Sequence, residues 1–134
     1  MQLIEHLKSG SIQGTSRRKR IVDLSKEWIE HHYFEDFGLD GIANQFQISK
    51  EYFCSIFKEE TGVNFIQYLK EFRMTKAISL MKDDPALRIY EISERVGFRE
   101  SKYFCRVFKV HFGQYPEEYR KRIATIDWRS STSR

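Results

Sequence analysis

The sequence predicts an all-α fold of about seven helices, in which two helix-turn-helix subdomains are joined by a long linker helix. Three observations support this prediction. The heptad YFCSIFK at residues 52–58 returns as YFCRVFK at residues 103–109, with five of seven residues identical. Apolar residues recur at helical spacing around both copies. A glycine then follows each copy, where a helix is expected to end. The same structural unit is therefore expected twice, about 50 residues apart.

Length and charge limit the possible classes. At 134 residues the chain is one domain-sized unit or two small subdomains that share a core. Lysine and arginine total 23 against 19 acidic residues, which is compatible with nucleic-acid binding without establishing it. No apolar run approaches the ~20 residues that span a bilayer, and the N-terminus lacks the pattern of a signal peptide. We expect a cytoplasmic protein.

The first subdomain is predicted over residues 18–82, linker helix included. Residues 1–17, a short apolar patch followed by the Gly/Ser-rich run SGSIQGTS, are expected to be a linker or the trailing end of an upstream domain. An amphipathic helix follows to about Tyr33, and a two-turn helix is expected after it. Ser49 is a suitable N-cap for the next helix, at about residues 50–61. These last two helices form the first helix-turn-helix.

The linker helix is predicted from a cap at Asn64 to about Met81. Its ~17 residues would extend about 25 Å at 1.5 Å per residue, enough to separate two subdomains. The second subdomain is then expected over residues 83–123, and its turn is one residue longer than the first. Residues 124–134 are expected to be a flexible tail.

Helical geometry divides each heptad into a core face and an outer face. The predicted core residues are Phe53, Ile56 and Phe57 in the first copy and Phe104, Val107 and Phe108 in the second. The outer faces of the two copies differ in chemistry: serine stands at position 55 and arginine at position 106. Two similar scaffolds with different outer residues suggest two readers of different DNA sequence. Solvated faces without function are the alternative.

The two segments that contain the repeated heptads resemble a known protein family. The segments LDGIANQFQISKEYFCSIFKEETGVNFIQYLKEFR and IYEISERVGFRESKYFCRVFKVHFGQYPEEYR are similar to the DNA-binding domain of AraC/XylS-type bacterial transcription regulators. The resemblance covers roughly Arg18 to Arg122. It implies sequence-specific binding of double-stranded DNA, with recognition helices at about 50–61 and 101–112 in successive major grooves, which lie ~34 Å apart. It also implies RNA polymerase as a partner and a missing N-terminal sensor or receiver domain, as in a two-component response regulator.

The candidate contact residues lie on the outer faces. The base-contacting candidates are Glu51, Cys54, Ser55, Ser101, Lys102, Cys105 and Arg106; the candidates for the DNA backbone are Lys50, Lys58 and Lys109. Arg106 is the first choice because a guanidinium can bond both O6 and N7 of guanine. Glu51 can accept a hydrogen bond from cytosine N4 but is repelled by phosphate. The first recognition helix, at about residues 50–61, is therefore expected to bind DNA more weakly than the second. The cysteines are expected to lie against thymine methyl groups.

The basic run Arg17–Arg20 leaves two alternatives open. It either contacts the DNA backbone or is the solvated start of the first helix.

Two other classes of function compete with DNA binding. A helical protein-interaction module would use the same outer faces and bind DNA weakly, without sequence preference. An enzyme is not expected, because the four histidines are scattered and no catalytic or nucleotide-binding motif is present. We therefore expect no catalytic residue, no cofactor and no metal site.

Overall fold

The computed structural model describes the backbone of residues 14–132 and the side chains of residues 17–124. Within these residues all regular structure is helical, which confirms the all-α prediction. The helices are α1 (Gly14–His32), α2 (Leu39–Gln45), α3 (Lys50–Thr61), α4 (Phe65–Asp83), α5 (Ile89–Arg95), α6 (Ser101–Phe112) and α7 (Pro116–Thr132). None of the helices in the described part of the chain has the length and apolar character that a membrane span needs.

The chain divides into two compact units, Met1–Lys70 and Glu71–Arg134. The sequence analysis placed the boundary between residues 82 and 83, with the whole linker helix in the first subdomain, and that assignment remains a prediction. The second half of α4 groups with the second unit: the guanidinium carbon of Arg73 lies 5.6 Å from the ring centre of Phe98.

The first and last helices of the chain extend beyond the bounds expected from the sequence. Helix α1 begins at Gly14, before the predicted start at Arg18, because the run of arginine and lysine that follows has high helix propensity. Residues 1–13 of the expected linker lie outside the described residues. Helix α7 continues to Thr132, so its backbone stays helical past residue 124. The flexibility of the tail remains a prediction.

Aromatic rings form the core of the first unit. Phe53, Ile56 and Phe57 are all fully buried, as predicted. The ring of Phe57 lies 5.2 Å from Phe65 and 5.3 Å from Tyr68, centroid to centroid, in edge-on contacts. These rings fix α3 against the start of α4, which leaves the opposite face of α3 exposed.

The second unit repeats this arrangement with one difference. Phe104 and Phe108 are fully buried, but Val107 is only half-buried, because it lies at the margin of the apolar stripe. The tyrosine that opens each heptad is also not a core residue. Tyr52 is 48% exposed and Tyr103 is 40% exposed.

The two turns are equivalent, and the predicted extra residue is confirmed. Four residues separate α2 from α3, whereas five separate α5 from α6. The same backbone hydrogen bond closes both turns: Ile48 N–H donates to Ala43 O at 3.3 Å, and Phe98 N–H donates to Ser93 O at 3.0 Å. In the first turn the hydroxyl of Ser49 accepts from the N–H of Tyr52 at 3.1 Å, which confirms the predicted cap.

Sequence reasoning missed the caps of α5 and α7. The backbone N–H of Arg88 donates to Glu91 Oε1 at 3.0 Å, and that of Tyr115 donates to Glu118 Oε1 at 3.2 Å. Each glutamate stands three residues after the position where a serine or threonine cap would be expected. Half of a capping box is therefore present at each helix start.

Replacing Gly62 by alanine is expected to destabilise the chain by ~1–2 kcal/mol. Gly62 ends α3 with a φ of +81, a conformation that a Cβ disfavours. A Cβ there would meet nothing within 4 Å, so the cost comes from the backbone conformation rather than from a clash. Urea unfolding of Gly62→Ala measures it.

Gly41→Ala is the matched control, with the opposite sign expected. Gly41 lies inside α2, and its added Cβ would make an ordinary contact with Phe37 Cβ at 3.9 Å. Alanine should stabilise that helix by up to ~1 kcal/mol. Equal effects of the two substitutions would contradict this account of Gly62.

Candidate nucleic-acid interface

The outer face of α3 carries both cationic and acidic side chains along its length. Lys50, Glu51, Ser55 and Lys58 are exposed, and Cys54 is half-buried. All the candidates that sequence analysis placed on this helix therefore lie on or beside its outer face.

Glu59 occupies part of this face, and sequence analysis did not single it out. Its Oε1 accepts a hydrogen bond from the Ser55 hydroxyl at 3.4 Å. Its Oε2 pairs with the guanidinium of Arg18 in α1. Both groups of the pair are partly exposed, so it adds little to stability. Its consequence is positional: an arginine of the basic run is held beside the first recognition helix.

The outer face of α6 is strongly basic. Lys102, Arg106 and Lys109 are exposed, and Ser101 and Cys105 are half-buried. All the candidates predicted on this helix thus lie on or beside one face.

Two of these cations lie over aromatic rings. The Arg106 guanidinium carbon is 5.8 Å from the centre of the Tyr103 ring. The Lys109 ammonium is 4.7 Å from the centre of the Tyr115 ring. Both distances are within the range of cation–π attraction.

The two recognition helices differ sharply in charge. Helix α3 contains two lysines and three glutamates, whereas α6 contains three cations and no carboxylate. Since phosphate repels carboxylates and attracts cations, α6 has by far the more favourable surface for nucleic acid.

Val110 is a further outer residue that sequence analysis missed. Its side chain is 88% exposed on α6. It stands four residues after Arg106 and so shares its side of the helix. Helical periodicity could have identified it, because Val110 falls outside the apolar stripe of Phe104 and Phe108.

The thiols of Cys54 and Cys105 are expected to react slowly with iodoacetamide at neutral pH. Burial raises the pKa of both thiols, and the negative charge of Glu51 raises that of Cys54 further. A raised pKa lowers the fraction of reactive thiolate at a given pH, so alkylation should accelerate as the pH is raised. Mass spectrometry of single Cys→Ser variants measures each rate. Rates equal to those of the urea-unfolded chain would contradict the prediction.

Comparison with known proteins finds a consistent set of relatives. A family model described as a helix-turn-helix domain matches residues 42–122. The chain is 32% identical over 111 residues to the Msm operon regulatory protein of Streptococcus mutans, which covers 83% of this chain and 40% of that protein. The chain thus spans about 40% of the length of this curated relative.

Solved structures share the fold. The C-terminal domain of AraT, a response regulator from Geobacillus stearothermophilus, is 35% identical, with a TM-score of 0.73 and coverage of 76% of this chain and 84% of that one. The DNA-binding domain of AdpA, solved in complex with a target DNA, has a TM-score of 0.71. It covers 83% of this chain and 95% of its own, and its 23% identity establishes likeness of fold alone.

Proposed function

The chain belongs to the AraC/XylS-type family of helix-turn-helix DNA-binding domains of transcription regulators, and we propose that it recognises a two-part operator through α3 and α6. Each helix is proposed to lie in its own major groove, with the two grooves one helical turn apart. The main supporting observation is the basic outer face of α6, where Lys102, Arg106 and Lys109 are all exposed.

In the second unit, Arg106 is proposed to contact guanine, because it is exposed and its planar guanidinium matches the O6 and N7 acceptors. Ser101 and Lys102 lie one turn earlier, where a recognition helix usually meets base edges. Cys105 is half-buried, and its thiol is small and only weakly polar, which suits contact with a thymine methyl group. Lys109 is proposed to contact phosphate.

The first unit is proposed to contribute less affinity and a different sequence preference. Glu51 would accept from cytosine N4, while Cys54 and Ser55 would lie against neighbouring bases. Lys50 and Lys58 are proposed to contact phosphate. The glutamates of α3 oppose that attraction, so this helix is expected to discriminate between bases more than it increases affinity.

The domain is proposed to act within a longer regulator. Relatives include a response regulatory protein of Staphylococcus epidermidis, 34% identical over 93 residues, which make up 36% of that protein. An N-terminal sensor or receiver domain is the proposed signal input, and RNA polymerase is the proposed partner at the promoter. The proposed DNA and RNA polymerase partners support the further proposal that the protein acts in the cytoplasm.

The test is selection of binding sites from random duplex DNA at about 150 mM salt, which suppresses non-specific attraction. The expected result is enrichment of two short motifs about one helical turn apart. Competition with unrelated DNA then measures the specificity ratio. The absence of any enriched sequence, with binding that disappears as salt increases, would refute the proposal.

The alternative is a protein-interaction module, and one observation favours it. Val110, with 88% of its side chain exposed, is an apolar group that phosphate contacts do not need. In that case Val110→Ser would weaken a protein partner's binding and leave DNA binding unchanged.

A further inference from the structure

The second recognition helix has an aromatic support that its repeat lacks. The Arg106 guanidinium lies over the Tyr103 ring, 5.8 Å from its centre. The Tyr103 ring lies 5.8 Å from the ring of Phe98, centroid to centroid. Phe98 is itself only 5% exposed, so this contact ties Tyr103 to the core of the second unit. A series of contacts therefore connects the buried Phe98, through the Tyr103 ring, to the exposed Arg106.

The first unit offers a natural comparison. Its equivalent turn places Ile48 where the second unit has Phe98, as the matching hydrogen bonds of the two turns indicate. The tyrosine is retained as Tyr52, but the residue three positions later is Ser55. Serine has no charge to place over a ring. Among the residues whose side chains the structure describes, the tyrosine thus has an aromatic neighbour beneath it and a cation above it in the second unit but not in the first.

We propose that Tyr103 is a positioning residue: it holds the Arg106 guanidinium in the orientation needed to contact a base, and so contributes to operator specificity. An arginine free to rotate loses conformational entropy when it binds a base edge. A guanidinium that already rests on a ring loses less, and its planar edge still presents N–H donors. This inference rests on the proposed function, in which Arg106 contacts a base.

The experiment uses a duplex selected from random DNA by the unaltered chain. Discrimination is the ratio of the Kd values for that duplex and for one in which the Arg106-dependent base pair is exchanged. Tyr103→Leu is expected to lower this ratio about two- to fivefold, the factor that an exposed cation–π contact supplies. Tyr103→Phe should keep the ratio, because the ring remains.

Two controls separate positioning from a general effect. Tyr52→Leu makes the same change at the equivalent place in the first unit and should leave the ratio unchanged. In an Arg106→Ala background, Tyr103→Leu should cause no further loss of discrimination, because no guanidinium remains to be positioned. Since Tyr103 is 40% exposed, all variants are expected to fold, which thermal unfolding checks.

The outcomes are distinguishable. If a site is enriched but Tyr103→Leu keeps full discrimination, or loses it equally in the Arg106→Ala background, this inference alone is overturned. A loss in Tyr103→Phe as large as in Tyr103→Leu would also overturn it, because the hydroxyl rather than the ring would be responsible. If no site is enriched, the proposed function fails and this inference fails with it.

Discussion

Arg106→Ala is expected to erase the preference for one base pair in one half of the operator while the other half remains selected. A good bidentate contact between arginine and guanine contributes ~1–3 kcal/mol of discrimination, roughly 5- to 150-fold. Arg106 is suited to this contact because it is exposed on the outer face of α6. Repeating the selection with the variant, followed by competition titrations of single-base-pair changes, measures the effect.

Ser55→Ala is the matched control, because Ser55 occupies the equivalent position in α3. Its hydroxyl already donates to Glu59, so a smaller effect is expected, confined to the other half of the site. Arg106→Lys keeps the charge but lacks the planar fork, and it should also lose discrimination.

A different result would assign Arg106 to the phosphate backbone. In that case Arg106→Ala would weaken binding to all sequences by a similar factor. The dependence of log K on log salt would also become shallower by about one unit. The base-contact role would then be wrong, although DNA binding itself would stand.

Phe57→Ala is expected to destabilise the chain by ~3–5 kcal/mol, the largest effect predicted on stability. Phe57 is fully buried, and its ring contacts Phe53, Phe65 and Tyr68. Alanine would remove all three contacts and leave a cavity beneath the first recognition helix. Urea unfolding followed by circular dichroism measures the change in free energy.

Tyr52→Ala is the control for this prediction, because Tyr52 also opens the repeated heptad as an aromatic residue but is 48% exposed. A cost well below that of Phe57→Ala is expected. If the two substitutions cost the same, the heptad aromatics would not be divided into core and surface groups as described.

Much of the fold could be predicted because its signals are local. The repeated heptad, the serine cap at Ser49 and the glycine after each copy mark the recognition helices, and both were predicted at their observed bounds. Periodicity also separated the buried Phe53 from the exposed Ser55. The outer position of every candidate contact residue follows from the same rule, whereas their roles on DNA remain predictions.

Other features could not be predicted from the sequence because they depend on the packing between separate elements. The Arg18–Glu59 pair joins two helices, and no spacing rule along the chain predicts which helices meet. The division at Lys70 and Glu71 likewise depends on where the second half of α4 packs. The partial exposure of Val107 was missed because a residue at the edge of an apolar stripe looks in sequence like part of it.

The sequence by itself therefore determined the helices, the duplication and the chemistry of each outer face, since hydrogen bonding and periodicity act within a few residues. Only the tertiary structure decided that the Tyr103 ring beneath Arg106 packs on Phe98, and that the glutamate beside Ser55 pairs with Arg18 of α1. The physical reason is that periodicity specifies which way a side chain points, whereas the packing of separate elements specifies which groups it meets there.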